Sequence, residues 1–344
     1  MSRGNSKSDD PMPRFNHSVP EFVLNHFAKD GQICVFDKHS LKNFKLPPYR
    51  AMGERDFNNV YIDDVVVSFE NRFCHVENLA APIISKIVRE KSLSHLSPME
   101  LGTLHIFTAL QLVRSKSRRL DHDATTQEIK RRWPEAEINP FPGRIEDSEL
   151  TKLSSLKFAF DNLDKLAEPL IVKHSFLMIL DCTDDLYISD NPVVMHNART
   201  FGPYGNLGLA VPGIEIYFPL SPNVVLAYFC PSTLKQIEEE LRRAEEQVSS
   251  FFATKMLSRT GMSATDTADL NEMRAEIKRS RDYYYLLKEH RTVPMDGQNV
   301  LFLNSLQMRS SYRFVAASRP NFSFAKKSLS ERPHWKEGMR VKVS

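Results

Sequence analysis

The chain has 344 residues, 41% of them hydrophobic and 26% charged, with a formal net charge of +3. That is enough apolar material for one large core, and a charge balance too even to argue for a nucleic-acid or membrane-surface partner. Its four cysteines, Cys34, Cys74, Cys182 and Cys230, form no C-x-x-C pair and no zinc-finger spacing, which argues against a disulfide framework or a zinc ribbon.

Residues 1–14 are polar, carry Pro11 and Pro13, and read as a disordered N-terminus with no signal peptide. From Phe15, the residues Val19, Phe22, Val23 and Phe27 recur at helical spacing up to Gly31. Gln32–Asp37 reads as a short apolar strand, and Pro47-Pro48 marks a loop. Asp63–Lys91 reads as a helix through Val65, Phe69, Phe73, Val76 and Leu79, kinked or split at Pro82. Ser97-Pro98-Met99-Glu100 is a capping box that starts a helix running to about Arg118. A polar stretch covers 121–148, and a helix follows near Leu150–Val172.

The period then changes to strand. Ser175–Leu180, a turn at Thr183–Asp185, and Leu186–Asp190 read as a hairpin, which Val193–His196 can extend. Ile214–Phe218 and Val224–Phe229 are a second hairpin around Pro219-Leu220-Ser221-Pro222. Ser232 to about Met256, and a second charged segment to about His290, predict a helical hairpin insertion over 232–290 on the surface. A helix near Gln298–Gln307 and a strand Tyr312–Ala317 close the core. Arg319–Ser344 carries seven cations against two anions and reads as a basic, solvated tail, with nucleic-acid contact as its sharper reading. No apolar run approaches the ~20 residues of a membrane span. The expectation is a cytoplasmic α+β domain over 15–318, with helices around an antiparallel sheet concentrated in the C-terminal half.

Several polar residues stand where a fold rarely needs them. Along the apolar helix after Ser97, His105, Thr108, Gln111, Arg114, Ser115 and Arg118 form one stripe. It reads either as a solvent-facing edge or as the lining of a site. Glu70 and Glu77 share a face of the preceding helix, where they can flank the core, hold a divalent ion or anchor Arg114. Asp190 stands at a strand end in Ser189-Asp190-Asn191-Pro192, a place for a reactive carboxylate and equally for a local Asx turn. His17 is a ligand, a base or a tie for the N-terminus, and the amides of Asn304 and Gln307 can read a ligand or satisfy backbone.

In order and spacing these pieces resemble the uncharacterised bacterial domain-of-unknown-function family number four thousand two hundred and thirty-eight. The resemblance rests on H-S-V-P-E-F-V-L-N-H-F from His17 and F-D-K at Asp37. It continues through a helix with Glu77, Gln-x-x-Arg at Gln111 and Arg114, and Ser-Asp-Asn-Pro at 189–192. Pro-Leu-Ser-Pro at 219–222, then Asn304 with Gln307 before an aromatic strand, complete it. It covers roughly residues 15–318, departs at Ser18 where the family carries Tyr, and brings no established activity. It implies that His17, Glu77, Gln111, Arg114, Asp190 and Asn304 belong to one recurring pattern.

Three functions follow as expectations. The first is a hydrolase of a phosphodiester or nucleotide. There Glu77 and Asp190 hold a divalent metal ion, His17 acts as base and Arg114 stabilises phosphate charge. Gln111, Asn191 and Asn304 bind substrate. The second is a non-catalytic small-ligand sensing module in which the same residues form a structural network. The third is a protein-interaction module that docks its partner through 232–290.

Overall fold

In the computed structural model, which describes residues 15–62, 65–134, 146–181, 185–202, 205–258 and 261–339, the first described element is a strand. β1 (Phe15–His17) precedes a single-turn helix α1 (Glu21–Asn25), then β2 (Ile33–Asp37), β3 (Lys42–Leu46) and β4 (Gly53–Arg55). β1 pairs antiparallel with β4, placing His17 opposite Gly53, where a Cβ would overlap the Phe15 ring. The helical spacing of Val19, Phe22, Val23 and Phe27 is realised only as the single turn of α1, and the strand pairing takes Phe15–His17. The disorder expected for residues 1–14 and the turn residues Thr183 and Asp184 lie outside the described residues.

β5 (Asn59–Ile62) pairs antiparallel with β6 (Val65–Ser68), which stands where the sequence predicts the start of a helix; the β-branched run Val65-Val66-Val67 prefers the pleated surface that β5 offers. Helix α2 (Glu70–Glu90) then runs through Pro82 without splitting. Helix α3 (Pro98–Val113) carries the expected capping box at Ser97 and Glu100. It stops short of Arg118, because Ser115 accepts a hydrogen bond from the Arg118 amide and caps a new helix, α4 (Lys116–Arg132). α5 (Asp147–Asp161) and α6 (Leu163–Ile171) follow, divided at Asn162.

The C-terminal half supplies β7 (His174–Leu180), β8 (Ile188–Ser189), β9 (Val194–His196), β10 (Glu215–Ser221) and β11 (Val224–Phe229). After them come α7 (Pro231–Leu257), α8 (Ala264–Lys288), β12 (Val293–Met295), α9 (Gly297–Ser310), β13 (Phe314–Ala317) and α10 (Ser323–Glu331). The main sheet has the order β12-β7-β11-β10-β9, antiparallel except for the β12–β7 edge. A second sheet, β3-β2-β13-β8, joins the two ends of the chain. β7 and β8 therefore lie in different sheets, and the hairpin predicted between them is replaced by pairing of β8 with β13.

Alternation along the strands assigns the layers. Leu177, Ile216, Phe218, Leu226 and Tyr228 face a core shared with α1, α2, α3 and α6. Phe176, Met178, Tyr217, Val225 and Phe229 face α7, α8 and α9. The class is α+β, and both faces of the main sheet are covered. The predicted helical hairpin is present as α7 and α8, whose Leu234, Leu241, Tyr284 and Leu287 join the core against the main sheet and α9, while Val248 and Leu270 are buried further out. The basic tail is not merely solvated. α10 and a following 3-10 turn (Pro333–Glu337) bury Phe322, Ala325, Leu329 and Trp335 against Phe36, Tyr187 and Val315, while Lys326, Lys327 and Lys336 stay exposed.

Candidate functional site

Strand β8 delivers Asp190 to the point where β13 begins. Asp190 is 5% exposed, and its Oδ1 accepts from the Tyr312 amide at 2.7 Å. Its Oδ2 accepts from the amides of Arg313 at 2.7 Å and Phe314 at 2.8 Å. Burial pushes this carboxyl above the usual carboxylate range, opposed by the three amides and by the Lys38 ammonium. Lys38 is itself fully buried, and its ammonium donates to the carbonyls of Met308, Ser311 and Trp335 at 3.0, 2.8 and 2.6 Å. These carbonyls lie at the C-terminal end of α9 and in the tail, where the helix leaves acceptors unsatisfied. Beside it, Asp37 accepts both Nε and Nη2 of Arg313. Burial alone would raise the Asp37 carboxyl; the Arg313 guanidinium, the His39 amide and the Ser40 hydroxyl outweigh it and hold it at about 2.

The family-pattern amides on α9 serve the strand rather than open space. The Asn304 side chain accepts from the Tyr187 amide at 2.7 Å and donates to the Asp185 carbonyl at 3.1 Å. Gln307 accepts from the Ser189 amide and hydroxyl and donates to the Pro192 carbonyl. β13 pairs with one edge of β8, and these amides satisfy backbone groups along the segment that contains it. Asn191 donates to the Ser310 carbonyl at 3.2 Å.

A second group forms where α3 breaks. Arg114 is 2% exposed; its guanidinium donates to the Glu77 carboxylate and the His17 carbonyl and lies 5.0 Å from the Phe73 ring centroid. The His17 ring nitrogen Nε2 is 2.8 Å from the Tyr49 carbonyl. One turn on, Arg119 donates to the Phe57 carbonyl and the Asn58 side chain, and Asn58 donates to Glu70. Burial lowers Arg119 to about 9, with the nearby Arg114 charge acting in the same direction. Gln111 is fully buried, and neither atom of its amide has a partner among the described residues.

The structure thus brings His17, Glu77 and Arg114 together, and Asp190, Asn191, Asn304 and Gln307 together. Against Asp190 lies a cavity of about 20 Å³ whose walls also include Ser18, Glu54, Lys116 and Tyr312. It is the size of one water. The expected metal pair does not fit a divalent ion. Glu77 is engaged by Arg114, both oxygens of Asp190 accept backbone amides, and no three His, Cys, Asp or Glu residues among those described are grouped to hold a metal. Sequence reasoning passed over Lys38 and Arg313. Lys38 stands in the F-D-K triplet beside Asp37, but its burial depends on α9 and the tail, about 270 residues away in sequence.

Among the described residues, no helix is long and apolar enough to cross a membrane. Comparison with curated proteins and with solved structures gives no match. The order of these residues along the chain does match a family model across residues 16–321, and the chain belongs to that family, described as a protein of unknown function (DUF4238).

Proposed function

We propose that this chain is a non-catalytic small-ligand sensing module, in which the buried polar network holds a ligand cleft in shape. The observation that carries this reading is the position of Asn304. Both ends of its amide serve the chain's own backbone, while the residue walls a cleft of about 550 Å³ at the head of α9. That volume lies within the ~300–1,000 Å³ of small-molecule sites. Gln298, Arg319, Ser323 and Phe324 line it together with Asp185 and Asp296. Phe324 and Arg319, the latter 3.7 Å from the Asp185 carboxylate, line the same cleft, and an aromatic ring with a guanidinium suits a flat ligand with an anionic group, such as a nucleotide. The same reading places the protein in the bacterial cytosol, a reducing compartment that keeps Cys34, Cys74 and Cys230 as thiols.

Thermal unfolding with and without nucleotides and divalent ions tests the reading. The expected result is a nucleotide-dependent rise in the midpoint of the wild type that Arg319→Ala abolishes. Turnover of a nucleotide or phosphodiester by the wild type, lost in Asp190→Asn or His17→Ala at an unchanged midpoint, would instead favour the hydrolase. The hydrolytic reading retains one supporting feature, the Gln111 amide, which has no partner among the described residues and stands one helical turn from Arg114.

A further inference from the structure

A separate hollow of about 270 Å³ lies where β10 and β11 meet the base of the α7–α8 arm. Its walls include Glu215, Tyr217, Phe229, Thr233, Gln236 and Tyr283, none of which belongs to the network or cleft above. The strand period brings the first three together. Glu215 and Tyr217 are two residues apart on one face of β10, and Phe229 stands directly across the ladder from Glu215. The rings of Tyr217 and Phe229 pack edge to face, with centroids 5.9 Å apart, and both residues line the hollow. Tyr283 adds a third ring from α8.

The Glu215 carboxylate accepts from the Tyr217 hydroxyl at 2.7 Å, and no Lys, Arg or His among the described residues is within ion-pair distance of it. The nearby guanidinium of Arg199 is turned to the Ser232 carbonyl at 3.1 Å and the Gln236 side chain at 3.0 Å. Burial raises the Glu215 carboxyl, with the Tyr217 hydrogen bond acting against it. Burial also pushes the Tyr283 phenol up to about 12, so its ring stays neutral. The Thr233 hydroxyl is buried without a partner among the described residues. A carboxylate drawn into an aromatic recess is costly for a fold to keep when the guanidinium that shares its hollow, Arg199, is bonded elsewhere. An organic cation supplies what is missing, since ring faces attract it and the carboxylate neutralises it.

We propose that this hollow binds an alkylammonium group, primary or methylated, with Glu215 as its counter-ion and the rings of Tyr217, Phe229 and Tyr283 as its cage. Such a group reaches the site either as a free small amine or as a lysine side chain of a protein. It binds independently of any occupant of the cleft at α9.

Calorimetric titration of the full chain tests this with four probes: choline, its neutral isostere 3,3-dimethylbutan-1-ol, butylammonium, and a short peptide carrying trimethyl-lysine. Choline or butylammonium binds, and the neutral isostere binds at least roughly tenfold more weakly, the scale of a desolvated cation–π contact. Glu215→Gln, which can still accept from Tyr217, weakens the cation by a similar factor at an unchanged thermal midpoint. Tyr283→Ala gives an independent loss should the first variant fold poorly. Binding of the free cations but not the peptide assigns the small-molecule source, and tighter binding of the peptide assigns the protein source. Equal binding of cation and neutral isostere, equal binding by wild type and Glu215→Gln, or no binding of any cation at millimolar concentration overturns the proposal.

Discussion

Three backbone amides converge on Asp190, and the same carboxylate faces the buried Lys38 ammonium. Removing it leaves donors unpaired at the start of β13 and a buried cation without its counter-charge. Asp190→Ala is therefore expected to lower stability by about 2–4 kcal/mol, read as a shift in the urea midpoint, with no recovery on adding Mg²⁺ or Mn²⁺. A variant of wild-type stability would show that the carboxylate is held for chemistry instead. Asp37 gives a prediction in pH. Its folded value of about 2 lies below the ~3.9 of an unfolded chain, so its stabilisation is fully present above about pH 4. It is lost as pH falls through about 2. The stability difference between wild type and Asp37→Asn should stay constant from about pH 5 to 7 and shrink toward zero between about pH 4 and 2. An undiminished gap at the acid end would mean that the Asp37–Arg313 pair is not the source.

At the level of elements, the tail shows how packing outweighs composition. Phe322, Ala325 and Leu329 recur at i, i+3 and i+7, and they bury one face of α10 while its lysines stay in water. The charge count of the tail predicts a solvated end and masks this stripe. Truncation after Arg319 removes these residues and Trp335, and with Trp335 one of the three carbonyls that hold Lys38. The truncated chain is expected to lose cooperative unfolding and bind a hydrophobic dye, whereas neutralising Lys326 and Lys327, both exposed, should leave the midpoint within about 0.5 kcal/mol. Elsewhere, local signals were legible where local chemistry decides. The Ser97–Glu100 capping box, the β10–β11 hairpin and the α7–α8 pair all stand as the sequence suggests. Long-range pairing was not legible. β8 finds β13 more than 120 residues on, β1 finds β4, and Val65–Ser68 joins β5 although its apolar spacing also fits a helix. The site follows the same division. The family pattern brought His17, Glu77 and Arg114 into view as a set, but only the fold reveals that Asp190 and Asn304 are hydrogen-bonded to backbone.

For the molecule as a whole, the α7–α8 arm is a unit attached at its base. Leu234, Leu241, Tyr284 and Leu287 pack against the main sheet and α9, so the base belongs to the central core. Further out, the helices hold chiefly each other. Val248 and Leu270 are buried, and Glu245 with Arg281 and Lys255 with Asp266 pair across the two helices. These two ion pairs give the register, which sets Val248 roughly beside Ile277. Joining Val248 to Glu276 through a four-residue turn should thus remove the outer arm and keep its base. The expected result is a cooperative unfolding transition with a midpoint close to that of the full chain, because the excised residues pack mainly against one another. Removing the whole of 231–288 should instead unfold the protein, since Phe229, Val293 and Leu303 lose their cover. Circular dichroism melts separate the two outcomes. The shortened chain also isolates the arm's role. It retains Glu215, Tyr217, Phe229, Thr233, Gln236 and Tyr283, so ammonium binding should persist, and any protein partner that docks on the outer arm should be lost. If the outer excision unfolds the core as thoroughly as the full deletion, the arm is not a separable appendage but part of what holds the main sheet.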